Sequence, residues 1–82
     1  MLTEYLNKAM QHAHFERIED ETIFGSFPDL PDLKGVWADA DTGDNCRAEL
    51  REVLEGWVLL HISDHTPVPP VDGVTVQAGS LV

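Results

Sequence analysis

Apolar residues at the start of the chain recur at helical spacing. Leu2, Tyr5, Leu6, Ala9 and Met10 fall on one side of a helix predicted over residues 3–13, with Thr3 able to cap it. The period then shortens to two. Residues 14–19 and 22–28 read as strands joined by the tight acidic turn Asp20-Glu21, which lacks the glycine that two-residue hairpin turns favour. In the second run Ile23, Gly25 and Phe27 point one way, and Thr22, Phe24 and Ser26 the other. Gly25 marks a position where another backbone or a helix packs close. Pro28-Asp29-Leu30-Pro31-Asp32 loses two ladder donors to proline and becomes a surface loop. A third strand follows over residues 36–41, with Val36, Ala38 and Ala40 on one face and Trp37, Asp39 and Asp41 on the other.

The longest pattern is a helix over residues 44–63, capped by Thr42 or Asp44. Cys46, Leu50, Val53, Leu54, Trp57, Val58, Leu60 and His61 or Ile62 make its buried stripe. Glu49, Arg51, Glu52 and Glu55 make its wet side. Gly56 in mid-helix costs about 1 kcal/mol relative to alanine, and close packing beside Trp57 is the expected compensation. Thr66-Pro67 ends the helix, and Pro69-Pro70 forms a stiff spacer. Residues 71–77 alternate again and predict a last strand; residues 78–82 read as a frayed tail. The fold class is therefore α+β, in the order α-β-β-β-α-β, with a small antiparallel sheet packed on a long helix and a single domain over residues 1–77.

Charge narrows the function. Five Lys and Arg face fifteen Asp and Glu, for a net charge of −10. That field repels a phosphate backbone, so direct nucleic-acid binding is not expected. It attracts a basic protein and speeds the encounter. The sequence has one cysteine, Cys46, which excludes an intramolecular disulfide. No apolar run approaches the roughly 20 residues of a membrane span, and a cytoplasmic location is expected. A chain of 82 residues without disulfide or metal also predicts a homo-oligomer, a dimer or tetramer.

Catalytic and metal readings are weak. His12 with His14, and His61 with His65, are spaced for chelation, but His65 lies in the last helical turn, where the dipole favours histidine anyway. Asp39, Asp41 and Asp44 could hold magnesium, yet they fall where a strand ends and a helix starts, where acidic caps are ordinary. Cys46 on the buried stripe reads as an inert thiol. Neither enzyme activity nor a cofactor is expected. Trp37, flanked by carboxylates, either covers the sheet within the monomer or forms a contact surface.

The segments together resemble one family. Phe27-Pro28-Asp29-Leu30-Pro31, then Gly35-Val36-Trp37-Ala38, Thr42, and a helix with Arg47, Leu50, Arg51, Leu54 and Glu55-Gly56-Trp57 resemble the HicB antitoxins of type II toxin–antitoxin systems, over residues 3–72. The resemblance implies a partial RNase H-like fold without nuclease activity that binds and neutralises a HicA-like toxin, a small basic ribonuclease that cleaves mRNA. The chain departs from the pattern in the longer loop Asp32-Leu33-Lys34 and in Gly43 after Thr42. The proline-rich segment after His65 is expected to leave no room for a C-terminal DNA-binding module. Glu19, Asp20, Glu21, Trp37, Asp39 and Asp41 are the expected partner-binding residues. The alternative is a stand-alone homo-oligomeric module that binds another protein or ligand.

Overall fold

A computed structural model describes residues 2–76. Helix α1 (Leu2–Met10) leads into strands β1 (His14–Arg17), β2 (Ile23–Ser26) and β3 (Ala38–Ala40), and then into helix α2 (Gly43–Ser63). The strands form an antiparallel meander in the order β1-β2-β3. Helix α2 lies across one face of it, so the architecture is α+β in two layers. No helix among the described residues is long and apolar enough to cross a membrane.

The register explains why the helix lies so close. Phe15, Gly25 and Ala38 pair in one row across the three strands. A Cβ on Gly25 would stand 2.8 Å from Phe15 Cε1 and 3.0 Å from Cys46 Sγ. Glycine is therefore required there by a ring on the neighbouring strand and a thiol on the helix above, as the sequence indicated. Along α2 the buried line is Cys46, Leu50, Leu54 and Val58, at strict i+4 spacing. It meets Tyr5, Leu6, Ala9 and Met10 of α1, Ala38, and Phe27, Leu33 and Val36 of the loop between β2 and β3. Thr42 provides the N-cap, its Oγ1 accepting from the Asn45 backbone N–H at 3.1 Å.

Several expectations change. Helix α1 starts at Leu2, which places Thr3 inside it rather than at its cap, and it stops at Met10. The hairpin tip is a 3-10 turn, Glu19–Glu21, rather than a two-residue turn. Without a glycine, the chain spends an extra residue and leaves Glu21 at φ 63°, while Ile18 N–H still donates to Thr22 O at 2.7 Å. Val53 and Leu60 do not join the buried stripe: they are 42% and 60% exposed. Three short strands are too narrow a layer to cover more than one line of the helix. Gly56 is exposed and a Cβ there would meet nothing within 4 Å, so it does not pack closely beside Trp57.

The predicted last strand is reduced to one bridge. Val71 and Val74 exchange backbone hydrogen bonds of 3.0 and 2.8 Å around Asp72 and Gly73, both at positive φ. This tight turn folds the segment back on itself, so it cannot extend along the sheet. Val71 and Val76 still enter the core. Two polar contacts fasten residues 69–72 to the start of the chain: Tyr5 OH of α1 donates to Pro69 O at 2.6 Å, and Nε2 of His12, just after α1, lies 2.8 Å from Asp72 Oδ2. The tail at residues 78–82, and Gln77 of the predicted strand, lie outside the described residues.

Candidate functional site: the uncovered face of the sheet

The strand alternation that turns Phe15, Gly25 and Ala38 toward α2 turns the neighbouring row the other way. Glu16, Phe24 and Asp39 pair across the three strands on this outer face. Glu16 and Asp39 are exposed, and Phe24 is half-buried. Trp37, two residues before Asp39, lies on the same side, because its neighbours Val36 and Ala38 are buried. Its indole stacks on Phe24, with ring centroids 5.8 Å apart and an interplanar angle of 25°. Trp37 nevertheless remains 52% exposed. The result is an aromatic pair held rigid by stacking, with a carboxylate on either side of Phe24 in the register.

Phe24 also forms one wall of a shallow groove of about 250 Å³, shared with Ser26, Phe27, Pro28, Pro31 and Lys34. The two prolines fix this wall without a sheet partner. Leu30 N–H donates to Phe27 O at 3.1 Å and Leu33 N–H to Leu30 O at 2.8 Å, closing the loop into consecutive turns. Within the strands, the outer positions carry no Lys or Arg. Two of the five basic residues, Arg47 and Arg51, instead line a cleft between α1 and α2 in the other layer, where Arg51 Nη1 donates to Asn7 Oδ1 at 3.0 Å.

The six residues singled out from sequence separate into two groups. Trp37 and Asp39 belong to the outer face. Glu19, Asp20 and Glu21 form the hairpin tip. Asp41 follows β3 at the same end of the sheet as that tip, because Ala40 pairs with Ile23. Its Oδ1 accepts from Asn45 Nδ2 at 3.2 Å, so it supports the start of α2 and does not join the Trp37 cluster. Sequence reasoning missed Glu16 as a member of the face. Its signal was present in the alternation with Phe15, but strand pairing was needed to set it beside Phe24.

Other chemistry-bearing groups have local duties. Cys46 is fully buried, its thiol 3.6 Å from Ala38 O, and burial pushes its pKa up with help from Glu49 and Asp39. A thiol held protonated in this way is a poor nucleophile. Burial, with a smaller push from Asp32, raises the Tyr5 phenol to about 12. His61 Nδ1 lies 2.9 Å from Trp57 O, one helical turn back. Among the described residues no three His, Cys, Asp or Glu side chains gather as a metal site.

The comparisons with known proteins agree with this architecture. The crystal structure of TTHA0281 from Thermus thermophilus superposes with a TM-score of 0.81 at 40% sequence identity, over 93% of this chain and 91% of that one. No curated protein sequence matches the chain. The UPF0150-like family model matches residues 4–69, from α1 through α2 to the proline spacer, and the chain belongs to the UPF0150-like family.

Proposed function

We propose that this protein is a HicB-like antitoxin, which binds a basic HicA-like toxin and masks the surface with which that toxin holds mRNA. The observation that carries this reading is the outer sheet face, where an exposed Trp37 stacks on the half-buried Phe24, itself paired between Glu16 and Asp39, in a chain of net charge −10. A ribonuclease needs positive charge to hold phosphate, and an acidic surface of this kind competes for the same charges. Stacked, half-covered aromatics supply anchor area at little entropic cost, as interface hot spots do. In this reading Trp37 and Asp39 form the contact, Glu16 joins them, and Glu19, Asp20 and Glu21 at the hairpin tip steer the approach. No catalytic step, cofactor or nucleic-acid contact is assigned to the chain, and its place of action is the cytoplasm.

Co-expression with a small basic HicA-like chain tests the proposal. The two should co-purify, and the toxin's cleavage of RNA should stop at one equivalent of this chain. Trp37→Ala should restore cleavage. Toxin activity that persists in the presence of excess folded chain would contradict the reading.

A second reading, a stand-alone homo-oligomeric binding module, is favoured by a different surface. Val53, Leu59 and Leu60 are exposed on α2, remote from the outer sheet face.

A further inference from the structure

Three of the five large apolar side chains left exposed among the described residues sit on α2. At 100° per residue, Glu49, Glu52, Val53, Gly56, Leu60 and Ser63 form one side of that helix, with Leu59 at its border. All of them are exposed. This side is turned well away from the buried line Cys46–Leu50–Leu54–Val58. Gly56 is its anomaly. Glycine in a helix centre costs about 1 kcal/mol relative to alanine. Nothing within 4 Å of its missing Cβ calls for that absence inside the described chain.

We infer that this side of α2 is a self-association surface, on which α2 of a second copy crosses antiparallel, Gly56 against Gly56. A two-fold contact must be self-complementary, and the order of residues along this side meets that condition. Its carboxylates, Glu49 and Glu52, both precede Gly56, whereas Leu59, Leu60 and Ser63 all follow it. With the two-fold axis at Gly56, the Glu52–Gly56–Leu60 rows of the two copies align, as in i±4 ridge packing. Glu52 then meets Leu60, Val53 meets Val53, and Leu59 meets Leu59. No carboxylate on this side opposes another, although each copy carries a net charge of −10. A parallel crossing would instead set Glu49 on Glu49 and Glu52 on Glu52, which like-charge repulsion forbids.

The remaining features fit the same arrangement. The aliphatic stem of Glu52 can lie over Leu60 with its carboxylate in water. Antiparallel helix dipoles attract weakly. The absent Cβ lets the two helix axes approach closely at the crossing point, which is what small residues do at tight helix–helix contacts. The contact lies in the helical layer, so it leaves the outer sheet face open and does not depend on the antitoxin reading.

Sedimentation equilibrium of the full chain alone, from micromolar to millimolar protein, tests the inference. The native chain should approach the mass of a dimer or a multiple of it. Gly56→Arg improves helix propensity, so circular dichroism should show it folded, yet it should sediment as a monomer. Leu60→Glu brings a carboxylate against Glu52 of the other copy and should raise the dissociation constant at least about tenfold, while Leu60→Lys meets Glu52 with opposite charge and should hold the dimer. Three results would each overturn the inference: a monomeric native chain at all concentrations, a Gly56→Arg variant of unchanged mass, or Leu60→Glu and Leu60→Lys weakening association alike. If the native chain is monomeric and Gly56→Arg abolishes only the capture of a basic toxin, this side of α2 belongs to that partner and not to a second copy.

Discussion

The inner face of the sheet and its outer face come from the same strands, one residue out of step, and they end in opposite states. The inner row is Phe15, Gly25 and Ala38; the outer row is Glu16, Phe24 and Asp39. On the inner side two of three residues are small, so α2 descends until Cys46 Sγ would touch a Cβ on Gly25. On the outer side a phenyl ring and an indole stack on each other because no second layer of the described chain covers them. Small residues in a strand thus invite a helix, and large ones left without a helix stack on each other in the open. The inner face stabilises the fold; the outer face stays open to solvent.

That division is testable from its strongest consequence down to its weakest. Leu54, fully buried on α2, should lose about 2–5 kcal/mol of stability when replaced by alanine, read as a lower urea midpoint. A domain this small has little more than that in reserve. Gly25→Ala should cost about 1–3 kcal/mol by overpacking, because Phe15 and Cys46 must both give way. Cys46→Ala in the same chain should recover part of that loss. In the opposite direction, Gly56→Ala should stabilise the chain by roughly 1 kcal/mol, measured where the chain is monomeric. Trp37→Ala should lower the urea midpoint, by about 0.5–1.5 kcal/mol of stability, through the lost stack on Phe24, while changing partner binding most.

Tyr5 offers a probe of the inner side by pH. It is the only tyrosine of the chain, so its ultraviolet titration is unambiguous. Burial holds the folded phenol at about 12, against an ordinary value of 10.0. The protonated form is thus favoured by folding. Its contribution is complete below the unfolded value and is lost as pH rises between the two. Urea unfolding should accordingly become easier across that alkaline window. A titration midpoint at the ordinary value in the folded chain would contradict the burial of Tyr5 against Pro69.

Much of this arrangement was legible in the sequence, for local reasons. The alternation in residues 22–28 and 36–41 set Gly25, Val36 and Ala38 apart from Phe24, Trp37 and Asp39, and the structure keeps that division. The i+4 run from Cys46 to Val58 identified the buried line of α2. What failed depended on non-local facts. Val53 and Leu60 border that line and would be buried under a wider layer, but how wide the sheet is cannot be read from the helix. Residues 71–77 have a strand's alternation, yet Asp72-Gly73 turns the chain back after Val71. Asp41 looked equivalent to Asp39 by spacing, but the strand ends at Ala40 and Asp41 serves the helix instead. Glu16 acquired its place only through pairing with Phe24.

In the proposed function the outer face, through Trp37 and its flanking carboxylates, holds a basic protein partner. Calorimetric titration of the native chain and of Trp37→Ala and Asp39→Lys into a HicA-like toxin, at low and high salt, measures it most directly. The native affinity should fall as salt rises. Both variants should bind at least about tenfold more weakly, with a shallower salt dependence for Asp39→Lys, while both still unfold cooperatively in urea. Variants that bind as tightly as the native chain at every salt concentration would contradict the claim.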